Sequence, residues 1–170
     1  MTPSDPGDAL VDVVDEAGTV VRQATRRAMR AERLPHRSAY VLVFNRRGEL
    51  FVHLRTATKD VYPSHWDVCV GGVLAAGESF DEGAARELVE ELGVAAPLER
   101  VFACRHEDPA SIVHGMVYRT IHDGPFRLQP EEIVRGEFVP LEEVDRRAAR
   151  APFCPDGLAA LAEYRRQGRR

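Results

Sequence analysis

The sequence predicts an α/β (α+β) fold in which a mixed β-sheet carries helices on both faces. Several short apolar runs, bounded by turn residues, are typical of strands. Other stretches combine helix-capping residues with helically spaced apolar positions. The two kinds of segment do not alternate as they would in a parallel βαβ sheet, and this irregular order indicates a mixed sheet.

Each element has its own local signal. Apolar runs around the turn at 15–18 predict a hairpin, a basic stretch that stops before Pro35 predicts a helix, and the turn at 45–48 predicts two flanking strands. A capped acidic stretch predicts a second helix, and Pro155 suits the first turn of a last one. The predicted strands cover residues 10–14, 19–21, 40–44, 50–55, 98–106, 112–121 and 133–139, and residues 68–70 are expected to be a buried run. The predicted helices cover 23–33, 80–92, 141–149 and 155–164.

The chain length of 170 residues predicts one domain over residues 9–170. Residues 1–8 are rich in Pro, Gly and Asp and are expected to be disordered. A net charge of −4 argues against a nucleic-acid partner or an anionic membrane surface. We see neither a long apolar span nor a signal peptide, and the three scattered cysteines suggest no disulfide framework, so a reducing cytoplasm is expected.

The stretch from Gly72 to Val94 carries the strongest chemical signal. Ser79 and Glu82 have the spacing of a capping box, and Gly93 is a suitable helix stop, so we expect a helix over residues 80–92. At helical spacing Ala84, Ala85, Leu88, Val89 and Leu92 form a core stripe, whereas the opposite face carries a row of acids. These acids are Glu82, Glu87, Glu90 and Glu91.

Such crowding of like charges costs stability, because Glu87 lies three and four residues before Glu90 and Glu91. The last turns of a helix also disfavour anions. A hard divalent cation such as Mg²⁺ would offset both effects and could bridge to a phosphate. The alternative interpretation is a solvated acidic helix face.

The full pattern is Gly72, five residues, Glu78, seven residues, and then the run from Arg86 to Val94. This pattern resembles the Nudix box, with every defined position filled. The resemblance implies a Nudix-like α/β/α sandwich with the box at 72–94, and a Mg²⁺ or Mn²⁺ site facing a diphosphate. It places the metal on Glu87, Glu90, Glu91 and the carbonyl of Gly72, puts Arg86, Glu87 and Glu90 in the catalytic set, and gives Glu78 and Gly93 structural roles in which Glu78 pairs with Arg86.

Arg55 and Lys59 are four residues apart, at a strand end and in the loop after it. Two cations there could grip a phosphate, although ordinary surface charge is the alternative. The surrounding residues resemble the Nudix proteins related to isopentenyl-diphosphate isomerase, in which an Arg and a Lys at this spacing hold a diphosphate. That resemblance covers about residues 10–94.

An isomerase is therefore a competing function, but its chemistry does not match this chain. The position of the isomerase cysteine is Gly71 here, with Cys69 two residues earlier, and the position of its next metal histidine is Val73. We therefore interpret Cys69 as a buried core residue. His36 matches an isomerase metal histidine by context, but its partner is missing, so a satisfied structural histidine is expected.

Hydrolysis of a phosphoanhydride in a nucleoside diphosphate derivative is the preferred function, with a non-catalytic diphosphate-binding module as a further alternative. The general base is left open among Glu87 and Glu90 on the helix and the loop acids Glu107, Asp108, Glu131 and Glu132, with Glu90 and Glu132 ranked first. His106, His114 and His122 are expected to be surface or sheet-edge residues. A small-molecule substrate is expected, and a homodimer is one alternative for the oligomeric state.

Overall fold

The computed structural model describes residues 6–168, and a curled mixed β-sheet is its central feature. Within this range the sheet has nine strands, and helices pack on both faces, which confirms the predicted α+β fold class. The strands are β1 (Leu10–Val14), β2 (Val20–Thr25), β3 (His36–Phe44), β4 (Leu50–Arg55), β5 (Trp66–Asp67), β6 (Val70–Val73), β7 (Glu99–Glu107), β8 (Ile112–Ile121) and β9 (Ile133–Val139). The helices are α1 (Arg26–Ala31), α2 (Phe80–Leu92), α3 (Leu141–Ala148) and α4 (Pro155–Arg166).

Strand β3 organises the sheet. One edge of β3 pairs in parallel with β8, from His36 opposite Val113 to Phe44 opposite Ile121. Antiparallel pairing with β6 brings the glycines at the start of the acidic segment against the middle of β3. Strand β4 pairs with β9 and β5, and β7 lies against β8. The loop before α2 is therefore anchored to the most buried strand of the molecule.

The side chains of β3 alternate between two cores, as the period of two along a strand requires. Tyr40, Leu42 and Phe44 enter a core that includes residues of α3 and α4. The intervening side chains enter a second core beneath α2, which contains Ala84, Leu88 and Leu92. Because both faces of β3 are buried, its run is almost continuously apolar, and α2 is held firmly against the sheet.

The N-terminal third differs from the prediction in several places, and β3 begins at His36, four residues before the predicted strand. The predicted helix at 23–33 begins only at Arg26, because β2 continues to Thr25 and the Thr25 hydroxyl caps the helix by accepting the amide of Ala28 at 3.1 Å. Of the segment 1–8 predicted to be disordered, residues 1–5 lie outside the described range, while Pro6–Asp8 form a 3-10 turn.

The run at 68–70 is buried, as the sequence predicts. The chain forms β5 before it and β6 from Val70 onward, because Asp67 turns the backbone between them by accepting the amide of Cys69 at 3.0 Å. No helix among residues 6–168 is long and apolar enough to cross a bilayer.

Candidate active site

Helix α2 begins and ends as its sequence predicts. The Ser79 side chain accepts the amide of Glu82, and the Glu82 side chain accepts the amide of Ser79 at 2.9 Å, so the capping box is complete. Gly93 ends the helix with a φ of 70°, a left-handed conformation that favours glycine. The predicted span of 80–92 is therefore confirmed.

An arginine ties the loop before α2 to the helix. The Arg86 guanidinium donates to both carboxylate oxygens of Glu78, at 2.7 and 2.9 Å. Glu78 also accepts the amide of Ala75 at 2.9 Å, which closes the turn of the loop. The Arg86 guanidinium lowers the pKa of Glu78 below its usual value, so this carboxylate stays ionised. A bidentate pair of this kind fixes the angle at which the loop enters the helix.

The same guanidinium gathers two acids of the helix. Its Nη1 atom donates to Glu87 at 2.8 Å and to Glu90 at 3.1 Å. The Glu87 side chain is only 12% exposed, whereas that of Glu90 is 48% exposed. Two carboxylates thus converge on one cationic nitrogen at the boundary between the protein and the solvent.

Glu91 is buried, although the sequence places it on the acidic face of the helix, opposite the core stripe. It is 6% exposed, and the amide of Gly71 points at its carboxylate from 3.3 Å. Val89, which was expected in the core stripe, is 48% exposed, and Ala85 is also exposed. The reason is that β6 packs over the Glu87–Glu91 side of α2, which rotates the buried face of the helix toward its acids.

Burial changes the protonation of these acids. It raises the pKa of Glu91 well above its ordinary value, and the nearby negative charges of Glu87 and Glu132 add to this effect. Burial also raises the pKa of Glu87, although Arg86 opposes it. Buried carboxylates that repel one another are costly unless a cation joins them.

Lys59 and Glu132 complete the cleft from two loops. The Lys59 ammonium forms a short ion pair with Glu132, and both residues line a cleft of about 340 Å³ together with Glu87, Glu90 and Glu91. Arg55 lies deeper, donates to the carbonyl of Val61 at 2.9 Å, and stands 3.7 Å from Asp67. Arg55 and Lys59 share one cavity beside the cleft.

The comparison with known families agrees with this geometry. The NUDIX domain model matches residues 34–157, which is most of the chain and includes the whole segment from Gly72 to Gly93. The chain belongs to the Nudix hydrolase family. As a member of this family, the chain is a pyrophosphohydrolase.

Curated relatives support the same assignment. An uncharacterised Nudix hydrolase of Yersinia pestis is 40% identical over 153 residues, which is 89% of this chain and 83% of the relative. One from Streptomyces coelicolor is 41% identical over 162 residues, covering 93% and 89% of the two chains.

Solved structures share the fold. The crystal structure of DR0079 from Deinococcus radiodurans has a TM-score of 0.76 and 29% identity, over 91% of this chain and 97% of that one. The Nudix domain of Shewanella oneidensis NrtR, solved with ADP ribose, has a TM-score of 0.62 over 77% and 86% of the chains, and at 16% identity this likeness shows the fold alone.

The donor set of this Nudix chain fits a hard divalent cation. Carboxylates and a backbone carbonyl are the ligands that Mg²⁺ prefers, and Glu87 and Glu90 already converge on one positive nitrogen. In the described part of the chain, no three His, Cys, Asp or Glu side chains form a ready metal cluster. Arg86 pairs with Glu87 and Glu90, and Lys59 pairs with Glu132.

The other loop acids that were candidates for the general base lie outside the acidic cleft of this Nudix chain. Glu107 pairs with Arg33 and Arg105, and Asp108 accepts from the hydroxyl of Tyr62. Among the described residues, neither lines the acidic cleft. Glu131 is exposed and lines a neighbouring groove. Of the loop candidates for a general base, the fold therefore brings Glu132 to the acidic helix.

Cys69 and His36 are buried, as the sequence predicts. Cys69 is 4% exposed, and burial raises the pKa of its thiol well above the ordinary value. The Nδ1 atom of His36 donates to the carbonyl of Leu34 at 2.9 Å, and burial lowers the pKa of His36 to about 4. A neutral histidine and an un-ionised thiol have structural roles here. Of the other histidines, His106 lies on β7 at the edge of the sheet, as expected, whereas His114 lies on β8 between β3 and β7.

Alanine substitutions at the two glycines at the start of the Nudix box are expected to have different effects. A Cβ at Gly72 would lie 2.8 Å from Oε1 of Glu87, the end of a flexible side chain, whereas a Cβ at Gly71 would lie 2.0 Å from the backbone oxygen of Ala39. We expect Gly72→Ala to fold but to weaken Mn²⁺ binding, since it displaces Glu87. Gly71→Ala, with a native φ of 148°, should lower the free energy of unfolding instead.

Urea unfolding and Mn²⁺ titration by electron paramagnetic resonance measure the two effects separately. Equal Mn²⁺ affinity of Gly72→Ala and the native chain would show that this glycine does not position Glu87 for a metal.

Proposed function

We propose that this chain is a metal-dependent pyrophosphohydrolase that cleaves a phosphoanhydride bond in a nucleoside diphosphate derivative or a related diphosphate. The convergence of Glu87 and Glu90 on a single cationic nitrogen, with Glu91 buried behind them, carries this proposal. Lys59 supplies positive charge across the same cleft. The cleft therefore offers acids for a cation and a cation for a phosphate within one space.

Glu87, Glu90, Glu91 and the carbonyl of Gly72 would hold Mg²⁺ or Mn²⁺. When bound, such an ion neutralises diphosphate oxygens and lowers the pKa of a coordinated water. The protein's part is to hold the acids in place. Capping at Ser79 and the bidentate pair of Arg86 with Glu78 keep the helix and loop rigid before the substrate arrives.

Arg55 and Lys59 would bind the diphosphate oxygens. Both side chains are 14% exposed, so their charges act in a partly dehydrated space where they are weakly screened. The Lys59 ammonium must exchange its partner Glu132 for a phosphate oxygen. That exchange frees the Glu132 carboxylate at the moment at which the substrate binds.

Glu132 is the best-placed general base. It lines the cleft, and it loses its cationic partner when Lys59 turns to the substrate. Glu90 is the alternative, but Arg86 already holds it and half of its side chain faces the solvent. In the reaction the water oxygen bonds to one phosphorus, the bridging oxygen leaves with the other phosphate, and the water proton passes to the base.

We expect Glu132→Gln to lower kcat by about 100-fold or more, because glutamine cannot accept the proton. Glu131→Gln is the matched control, since this adjacent acid is exposed and outside the acidic cleft. Steady-state hydrolysis of a panel of nucleoside diphosphate derivatives with Mg²⁺ measures both. Equal losses in the two variants would return the role of base to Glu90.

A Mg²⁺-dependent assay of phosphate release on that panel also tests the proposal as a whole. Binding of diphosphates without turnover of any panel member would favour a non-catalytic module. The isomerase alternative is tested by incubation with isopentenyl diphosphate, with Cys69→Ala as the control. Loss of an isomerised product in that variant would overturn the structural role of Cys69.

The three cysteines are free thiols, and two of them, Cys69 and Cys154, are buried. We propose that the enzyme works in a reducing compartment such as the cytoplasm, where buried thiols of this kind persist unpaired.

A further inference from the structure

A small cavity adjoins the acidic cleft and was not foreseen from the sequence. It shares Arg26, Lys59 and the glycines of β6 with the cleft, and it extends inward past Arg55 toward Tyr40. Its volume is about 70 Å³. A single water needs roughly 10–15 Å³ of such a cavity, so the space suits a group of about five heavy atoms.

Cationic side chains from two distant segments meet in this cavity. Arg26 and Arg30 come from α1, and Arg55 and Lys59 come from the end of β4 and the loop after it. Asp60 holds the α1 pair in place, because its Oδ2 atom accepts from Arg26 at 3.1 Å and from Arg30 at 3.0 Å. Although burial opposes ionisation, Arg30 and Arg26 lower the pKa of Asp60 to about 2, so it is always charged near neutrality.

The acids at the inner end of the cavity already have partners. Asp156 accepts from the hydroxyl of Tyr40 at 3.0 Å, and Asp67 accepts the amide of Cys69 at 3.0 Å. Within the described lining, Asp60 pairs with both Arg26 and Arg30, and Asp67 stands 3.7 Å from Arg55. Lys59 pairs with Glu132 of the acidic cleft. The described lining therefore holds four cationic side chains and three carboxylates.

A surplus of cationic side chains in the lining favours the binding of an anion. Burial lowers the pKa of Arg30, and the positive charges of Arg26 and Arg55 lower it further. The Nε atom of Arg55 is buried and has no hydrogen-bond partner within the described residues. Several guanidinium donors around a space of this size match the oxygens of one phosphate group.

We propose that this cavity receives the terminal phosphate of the substrate, and that the enzyme therefore acts on diphosphates whose outer phosphate is free. This inference rests on the proposed function, because it concerns the orientation of the substrate in the same site. A second sugar or nucleoside is too large for the cavity. The organic part of the substrate lies instead over the open acidic cleft, whose volume is about 340 Å³.

The products follow from this orientation. Water adds to one phosphorus of the anhydride, the bridging oxygen leaves on the other phosphate, and the water proton passes to the general base. A nucleoside diphosphate would give a nucleoside monophosphate and inorganic phosphate. The enzyme would select against two-ended diphosphates, in which both phosphates carry an organic group.

Paired substrates test the selection. A nucleoside diphosphate and the nucleoside diphosphate sugar with the same base differ only at the outer phosphate. We expect the nucleoside diphosphate to have a value of kcat/KM at least about tenfold higher, since the cavity excludes the sugar. Hydrolysis of the two-ended substrate at an equal or higher rate would overturn the inference and leave the proposed hydrolase function intact.

Substitutions on α1 test the cavity itself. We expect Arg30→Gln and Arg26→Gln to raise the KM for the nucleoside diphosphate by about tenfold with little change in kcat. The reason is that the two native arginines bind phosphate oxygens equally in the ground state and in the transition state. Arg27→Gln is the matched control, since this neighbour has a side chain 62% exposed and pairs with Asp8. Arg30→Lys should recover part of the loss by keeping the charge.

A binding measurement tests the phosphate cavity separately from the proposed hydrolase function. Isothermal titration of inorganic pyrophosphate into the protein in EDTA should show binding that Arg30→Gln weakens about tenfold and Arg27→Gln does not. If pyrophosphate binds in this way but no substrate is hydrolysed, the cavity assignment stands and the hydrolase proposal fails. If Arg26→Gln, Arg30→Gln and Arg30→Lys, each shown to be folded by thermal melting, bind pyrophosphate like the native chain, the cavity assignment is wrong.

Discussion

Glu91→Gln should reduce kcat at least about 100-fold, because it removes a carboxylate proposed to bind the metal, and even the outer partners of metal ligands are worth 10–100-fold. The same change should leave the metal-free protein at least as stable as the native chain. Glu91 is buried, and its contact with the amide of Gly71 is long, at 3.3 Å. Glutamine has nearly the same shape and removes a buried carboxyl group whose ionisation costs free energy.

This combination distinguishes a metal ligand from a structural acid. Hydrolysis rates with Mg²⁺ and melting temperatures in EDTA measure the two halves of the prediction. Glu82→Gln is the matched control on the same helix, since glutamine also serves at this position of a capping box. A normal rate in Glu91→Gln would remove Glu91 from the proposed metal site.

Arg86→Ala should destabilise the metal-free protein by roughly 2–3 kcal/mol, because it removes charge-assisted hydrogen bonds to three carboxylates at once. Glu78 would keep the amide of Ala75, but Glu87 and Glu90 would face each other without a cation. Urea unfolding in EDTA measures this loss. Mg²⁺ should stabilise the variant more than the native chain, since the ion replaces the missing positive charge.

Arg86→Lys is the informative comparison. Lysine restores the charge but cannot form the bidentate pair with Glu78, so it should recover part of the stability and little of the activity. Full activity in Arg86→Lys would show that the geometry of the loop before α2 does not depend on this pair. An Arg86→Ala protein as stable as the native chain would show that the three acids are adequately solvated on their own.

The acidic helix shows how far local information reaches. Its bounds depend on residues three or four apart, such as Ser79 and Glu82, and the sequence predicted them correctly. The buried face of the helix does not depend on local spacing alone, and the sequence predicted it incorrectly. Helical spacing put Val89 inside and Glu91 outside, whereas β6 covers the opposite side of the helix, because its position is set by pairing with β3.

Part of the site could be predicted from local spacing, and the rest could not. Glu87, Glu90 and Glu91 come from one helix, so their proximity could be predicted from their spacing. The Lys59–Glu132 pair joins residues 73 positions apart, and Asp60 meets Arg26 and Arg30 across more than 29 positions. Helix α1 was expected only as a basic helix, and no residue pattern within it indicated a cavity.

The sequence by itself determined most of the elements, the bounds of the capped helix α2 and the family, because each depends on residue types at short and fixed spacings. Only the tertiary structure decided which acid is buried, which loop acid reaches the helix, and where the α1 arginines point. Those outcomes depend on how β3 pairs with β6 and β8, and on how the loops at their ends meet. Long-range packing of that kind leaves no short-range periodicity in the chain.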